Sequence, residues 1–251
     1  PMDSKASRNR GALDSQLTII VPVYHEQDNI GQLLDRLRTN VKTPNLILVV
    51  YDKDDDPTLP AIVSYTRKHP DLSVKLAKNN VDTGRGVINA IRTGLQTATD
   101  PIVLILMADL SDDTKQIDQM YHLIQDNGYD IVAASRYMPG GKKMGGGVFK
   151  TFLSKVAGLS LYYIFRVPTR DATNAFKMYR RSIFDKLTIE STVGFEYSLE
   201  IVLKAFRAGY KITEIPTVWI DRTSGKSQFK LMRWLPKYAN AYFKNIRSKR
   251  S

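Results

Sequence analysis

A chain of 251 residues that is 43% hydrophobic can bury a substantial core, as one large α/β domain or two small ones. Cysteine is absent, which excludes disulfides, thiolate-bound zinc, iron–sulfur clusters and a cysteine nucleophile. A formal net charge of +12 favours an acidic partner, whether phosphate, nucleic acid or an anionic membrane surface, without choosing among them.

Residues 1–16 are polar, lack the apolar stretch of a signal peptide and are expected to form a disordered lead-in. Residues 17–23 are a β-branched run, followed by Ile30, Leu33, Leu34 and Leu37 at the i, i+3, i+4, i+7 spacing of a helix face. This strand–loop–helix unit recurs: 46–50 precedes a helical stretch at 61–68, and 74–76 precedes 87–95. Next come a strand at 102–107, Ile117, Met120, Tyr121 and Ile124 on one helical face, and a strand at 131–134. Apolar strands alternating with amphipathic helices predict an α/β fold with a mostly parallel sheet and helices on both faces. Such sheets bind ligands at the carboxyl ends of their strands, so function is expected in the loops after Val23, Val50 and Met107.

The glycines at 140, 141, 145, 146 and 147 mark a candidate mobile loop before a helix that runs to about residue 165. A loop at 170–174, a helix over 195–208 and one strand over 211–220 complete a domain expected to span 17–225. Residues 226–251 contain eight Lys or Arg and no acid, interleaved with aromatic side chains, and read as a basic amphipathic segment able to dock on an anionic membrane. No run approaches the ~20 apolar residues needed to span a bilayer.

The first two strand-end loops read Val21-Pro22-Val23-Tyr24-His25-Glu26 and Val49-Val50-Tyr51-Asp52, offering an aromatic ring to stack on a base and carboxylates for base or ribose. The third, Met107-Ala108-Asp109-Leu110-Ser111-Asp112-Asp113, ends an apolar strand in clustered carboxylates, which suits Mg²⁺ or Mn²⁺. The three histidines are far apart with no i,i+4 pair, so a metal here would have oxygen ligands. Asp109 is the candidate ligand, while Asp112 and Asp113 precede a helix and are expected to cap it. Asp221-Arg222-Thr223-Ser224-Gly225-Lys226-Ser227 lacks the earlier glycine of a P-loop. It leaves an arginine fork and a lysine point charge around a glycine, a sensible diphosphate clamp.

In this order the motifs resemble glycosyltransferase family 2, and within it the polyprenyl-phosphate sugar transferases such as the dolichyl-phosphate mannose synthases. The resemblance runs from about residue 17 to 230. The family's Val-Pro-x-Tyr-Asn-Glu appears at 21–26 with His25 for asparagine, and its Val-Val-Asp-Asp at 49–52 with Tyr51 for the first aspartate. Its Gly-Ser-Arg-Tyr appears as Ala134-Ser135-Arg136-Tyr137, and its Asp-x-x-Ser-Gly-Phe as Asp171-Ala172-Thr173-Asn174-Ala175-Phe176. Glu214-Ile215-Pro216 and the Arg222 to Ser227 stretch close the series.

The resemblance implies a GT-A fold with a Rossmann-like nucleotide-binding half, a nucleotide-diphosphate sugar donor and inversion at the anomeric carbon. By position, Pro22, Tyr24, Glu26, Val50 and Asp52 would hold the nucleoside. Asp109 would bind metal, flanked by Ala108 and Ser111 at the donor, and Arg136, Arg222 and Lys226 would contact phosphates. Met107 replaces the first aspartate of the family's Asp-x-Asp, leaving Ser111 or Asp112 to assist. Asp109, Arg136 and Asp171 are the expected catalytic group. The acceptor is expected to be a lipid phosphate, which needs no general base. A glycan hydroxyl is the alternative, with Glu196 or Asp171 as base. A nucleic-acid-binding protein is a remote third reading that leaves the acidic loops unexplained. The expected location is cytoplasmic, peripheral on a membrane face.

Overall fold

The computed structural model describes residues 16–79, 84–192, 194, 196–221 and 242. The first half is built from β1 (Leu17–Val23), α1 (Ile30–Asn40), β2 (Asn45–Tyr51), α2 (Thr58–Lys68), β3 (Val74–Lys78), α3 (Val87–Thr97), β4 (Ile102–Ile105) and α4 (Ile117–Gln125). The second half adds β5 (Ile131–Ser135), β6 (Lys142–Met144), α5 (Val148–Tyr163), β7 (Lys177–Arg180), α6 (Ile183–Lys186), α7 (Glu196–Arg207), β8 (Ile212–Pro216) and β9 (Val218–Ile220). The main sheet runs β3-β2-β1-β4-β7-β5-β8, and β6 pairs with β9 in a separate parallel ribbon. All main-sheet pairs are parallel except those of β7, which lies antiparallel between β4 and β5.

Every residue of β1 is buried, because the strand has helices on both of its faces. Leu17, Ile19 and Val21 pack in a cluster with Ile30, Leu33, Leu34 and Leu37 of α1, Ile62 of α2 and Met120 and Ile124 of α4. Ile20 points the other way, into a cluster with Ile88 and Ile91 of α3, Leu161 of α5 and Ile201 and Val202 of α7. The helix spacings read from sequence thus correspond to the faces that cover the sheet.

Two expectations are corrected and one element is added. The strand anticipated over 211–220 is two strands in different sheets. At Thr217 the chain changes partner: its N–H donates to Ser135 O at 3.0 Å and its carbonyl accepts from Lys142 N at 2.8 Å. The glycine-rich stretch contains a strand, β6, in a hydrogen-bonded ribbon rather than being only a loop. The strand β7 was not anticipated. Of the basic segment at 226–251, Tyr242 alone lies within the described residues. Its hydroxyl is 2.8 Å from Ser160 Oγ and its ring meets Phe165 edge-on at 6.1 Å, so this aromatic packs on the domain.

Gly158 fixes how closely α5 approaches the loop before β7. A Cβ there would lie 2.0 Å from the carbonyl oxygen of Arg170 and 3.0 Å from its carbon. Gly158→Ala should therefore force backbone apart and lower stability by about 1–3 kcal/mol in urea unfolding. Ala at Gly128, where a Cβ meets nothing within 4 Å but the φ of +70° is strained, should cost less.

Candidate active site

The parallel register sets Pro22 beside Val50 and Val23 beside Tyr51, so the loops after β1 and β2 emerge at one edge. Tyr24 is half exposed, with its ring 4.4 Å from that of His25. His25 adopts a left-handed φ of +56°, a conformation uncommon outside glycine and concentrated at functional turns. The turn is held from below: His25 N donates to Asp56 Oδ2 at 3.1 Å and Glu26 N to Thr58 Oγ1 at 2.9 Å. Burial disfavours the Asp56 charge, but hydrogen bonds from Thr58 and His25 outweigh it and lower the pKa. Glu26 accepts from Asn29 Nδ2 at 2.7 Å.

Asp52 braces the entry to α3, accepting from Asn79 Nδ2 at 2.8 Å and Gly86 N at 3.0 Å. The side chains of Val50 and Ala108 are buried in the two apolar clusters and Pro22 is also buried, so Val50 and Ala108 can meet a ligand only through main chain. The Asp54-Asp55-Asp56 run is divided between an ion pair of Asp54 with Lys78 and the Asp56 brace.

After β4 the chain turns sharply through Leu110, at φ +63°, whose carbonyl accepts from Arg36 Nη1 at 3.1 Å. The Asp109 carboxylate is half buried and accepts from Ser111 N at 3.2 Å. Asp113 caps the short 3-10 turn at Thr114–Gln116, accepting from Lys115 N at 3.1 Å, as expected from sequence. Asp112 does not cap. It is 6% exposed, and its Oδ1 has no hydrogen-bond partner. Burial, then the neighbouring Asp109 charge, push its pKa up to about 8, against the pull of Arg136. The hydroxyl of Ser111 is likewise buried without a partner.

These orphaned oxygens beside Asp109 fit a hard divalent cation, for which buried carboxylate and hydroxyl oxygens are suitable donors. No group of three or more Asp, Glu or His side chains able to hold a metal occurs among the described residues. A cation here would depend on phosphate oxygens and water for the rest of its shell, as Mg²⁺ commonly does. Met107, where the family places its first aspartate, packs against the second apolar cluster.

Across the site, Arg136 leaves the end of β5 and is gripped by Asp171. Its Nε and Nη2 donate to the two carboxylate oxygens at 2.6 and 2.9 Å, and its backbone N–H donates to Oδ2 at 3.0 Å. Asp171 is fully buried. Burial would raise its pKa, but the Arg136 charge and hydrogen bonds, with Lys177, hold it below the ordinary value. The carboxylate is thus committed to the ion pair, an anchoring role rather than that of a base facing an acceptor. Tyr137 and Trp219 place rings 5.2 and 5.9 Å from the Arg136 guanidinium carbon, and Lys143 Nζ lies 5.1 Å from the Trp219 ring. The loop is fixed on its far side by Glu214, which accepts from Arg170 N at 2.7 Å and pairs with its guanidinium.

The structure therefore brings Asp109, Ser111, Arg136 and Asp171 to one region and adds Asp112 to it. Arg222 and Lys226 lie outside the described residues. Lys177 and Trp219 were missed from sequence, although a lysine in the otherwise apolar run Phe176-Lys177-Met178-Tyr179 was a visible signal.

A mostly parallel sheet carrying an acidic turn at the end of a central strand, with a buried arginine–carboxylate pair near it, defines an α/β protein with a polar site at its strand ends. A sequence profile described as "Glycosyl transferase family 2" matches residues 18–188, most of the chain. The chain belongs to glycosyl transferase family 2. It is 26% identical over 220 residues to a dolichol-phosphate mannosyltransferase of Pyrococcus furiosus, covering 86% of this chain and 59% of that one. It therefore spans about three-fifths of the length of that relative. It is 23% identical to the polyprenol monophosphomannose synthase of Mycolicibacterium smegmatis, covering 90% and 89% of the two chains. Among solved structures, glucosyl-3-phosphoglycerate synthase from Mycobacterium tuberculosis in complex with Mn²⁺, UDP and glucosyl-3-phosphoglycerate superposes with a TM-score of 0.68 at 12% identity, covering 94% and 81%. The mannosyltransferase PcManGT from Pyrobaculum calidifontis, in complex with GDP-Man and Mn²⁺, does so at 0.66 and 21%, covering 96% and 67%. These likenesses establish the fold, which is of the GT-A type.

Removing Arg136 would leave a buried, unpaired carboxylate. Arg136→Met should cost about 3–5 kcal/mol in urea unfolding, and Arg136→Met with Asp171→Asn should recover a large part of it. A loss in the double variant equal to the sum of the losses in Arg136→Met and Asp171→Asn would show that the pair is not energetically coupled.

Proposed function

We propose that the chain is an inverting glycosyltransferase that moves a sugar from a GDP- or UDP-linked donor to a polyprenyl phosphate, with Mg²⁺ or Mn²⁺ held by Asp109 and Asp112. The observation that carries this is the pair of buried, unpartnered oxygens beside Asp109, Asp112 Oδ1 and Ser111 Oγ, near the Arg136–Asp171 pair. The names of the relatives, dolichol-phosphate mannosyltransferase, polyprenol monophosphomannose synthase and undecaprenyl-phosphate mannosyltransferase, support the acceptor class.

Tyr24 offers its exposed ring to the base, and Glu26 and Asp52 stand at the ribose side of the same edge. A cation bound at the acidic turn would supply Lewis-acid stabilisation to the leaving diphosphate. Arg136, oriented by Asp171, meets phosphate charge with its remaining donors, and Arg222 and Lys226 are proposed to complete the clamp. A phosphate monoester, with a second pKa of about 6, is ionised near neutral pH and can attack the anomeric carbon without a base. The commitment of Asp171 to its ion pair removes one of the two candidate bases for a hydroxyl, Glu196 being the other, and so favours a phosphate acceptor.

A lipid acceptor requires an approach to a membrane, and no helix among the described residues is long and apolar enough to cross one. On α5, Phe149, Phe152 and Val156 are exposed at i, i+3, i+7 spacing, and Tyr163 and Ile164 extend the patch. An apolar stripe on a basic protein suits peripheral docking on an anionic, cytoplasmic membrane face. The double variant Phe149→Ser with Phe152→Ser should sediment with anionic liposomes less than the parent while keeping its fold. Equal sedimentation would exclude α5 as the docking face.

The activity test is transfer of labelled sugar from GDP- and UDP-sugars to a polyprenyl phosphate and, separately, to an oligosaccharide. Lipid-linked product should form with Mn²⁺ present, fall to background with chelator and be lost in Asp109→Asn. Product on the oligosaccharide alone would overturn the acceptor, and undiminished turnover by Asp109→Asn at limiting Mn²⁺ would overturn the metal ligand.

A further inference from the structure

Lys177 begins β7, an interior strand of the main sheet between β4 and β5, and its side chain has no exposure to solvent. A lysine so placed is rare, because burying an ammonium is costly unless its donors are met. Here they are met. Nζ donates to Ala172 O at 3.1 Å, to Ser198 Oγ at 2.7 Å and to Asn174 O. Two of these acceptors are carbonyls of the loop that carries Asp171, and the third is a hydroxyl of α7. Ser198 in turn donates toward Asn174 O, at 2.6 Å, so lysine and serine together fasten the loop to the helix. Asn174 Nδ2 closes the other side by donating to Ala134 O at 2.9 Å, two residues before Arg136.

We propose that Lys177 is a positioning residue for sugar transfer: its buried ammonium fixes the 171–174 loop against α7 and thereby sets the place of Asp171 and of the Arg136 guanidinium. It touches no substrate and acts through the ion pair. The three acceptors match the three donors of an ammonium. A neutral amine has two, and could keep Ser198 only by accepting from its hydroxyl, which would then give up its bond to Asn174 O. The charged form is therefore the one that keeps all of these bonds at once.

The groups facing Lys177 are Asp171 from its own loop, Arg136 from the end of β5 and Asp112 from the turn after β4, while α7 presents the Ser198 hydroxyl. Burial lowers the lysine pKa; Asp171 and then Asp112 oppose that and Arg136 adds to it, and the result is about 7. The ammonium is thus present below about pH 7 and is lost as pH rises through that value. Transfer should show an alkaline fall in kcat with a midpoint set by Lys177, and Lys177→Arg, which stays charged, should move that fall to higher pH. Ser198→Ala removes an acceptor from the ammonium and should move it lower.

This rests on the glycosyltransferase reading for its kinetic arm only. The first experiment is amide hydrogen exchange of the full chain without substrates. Lys177→Met should exchange about tenfold or more faster than the parent in residues 169–176 and at the Arg136 amide, with β1 and β2 unchanged. Unchanged exchange in the loop would overturn the proposal. The second is the pH profile of kcat for the parent, Lys177→Arg and Ser198→Ala on polyprenyl phosphate, where opposite displacements of the alkaline midpoint are expected and three superimposable profiles would overturn it. Should Lys177→Met fail to fold, the Arg and Ala variants carry the test in both experiments, with loop exchange in Ser198→Ala faster than in the parent. Should the parent transfer no sugar, the functional reading fails while the exchange result still decides the role of Lys177.

Discussion

The site depends on an arginine and a carboxylate that share the interior. Neither Arg136 nor Asp171 is placed by its own backbone alone: the first ends a strand and the second begins a loop, two segments of uncertain direction in isolation. Their bidentate contact at 2.6 and 2.9 Å removes that uncertainty. A buried pair of this kind contributes little net stability, because desolvation offsets most of the attraction, but it specifies one geometry and penalises others. Around it the remaining polar groups fall into order, with Glu214 and Arg170 fixing the outer side of the loop and Trp219 flanking the guanidinium. The acidic turn after β4 then faces a positive group that cannot move away.

Much of the architecture was legible because hydrophobic periodicity is a direct record of burial on both faces of a parallel sheet. The runs 17–23 and 102–107 and the helix faces at Ile30 and Ile117 appear where their spacing put them, although the second strand ends at Ile105 as the chain turns toward Asp109. What failed to show was the antiparallel insertion. Lys177 breaks the apolar run of β7, and its compensation comes from carbonyls and a serine on other segments, which spacing cannot reveal. The division at Thr217 was hidden for a similar reason: the residues on both sides have strand character, and tertiary pairing alone assigns them to different sheets. At the site, the place of Asp109 just beyond a strand followed from the apolar run before it. Asp112 was misread as a cap because an aspartate before a helix usually is one, whereas here Asp113 takes that part. The family resemblance supplied roles for residues that spacing left anonymous, Arg136 foremost.

Two of the strand-end turns contain non-glycine residues in left-handed backbone, His25 and Leu110. Each is stabilised by contacts with other elements, His25 through Asp56 and Leu110 through Arg36. A strained turn persists only when its surroundings over-determine it, and both lie on the edge where the donor is proposed to bind.

The central place of β7 has a consequence for how the chain is made. A strand emerging from the ribosome late in the sequence is required between β4 and β5, which are synthesised well before it. Until Lys177–Arg180 arrives, β4 and β5 each lack the neighbour that they share in the finished sheet, and the N-terminal half holds only its β3-β2-β1-β4 part. Such non-local pairing slows folding and leaves edges open to other chains in the interval. A cut in the glycine-rich stretch would therefore part β4 and β5 from the β7 that lies between them. The strand that carries the buried lysine joins the β3-β2-β1-β4 part of the sheet to the β5-β8 part, and it follows directly on the loop that holds Asp171.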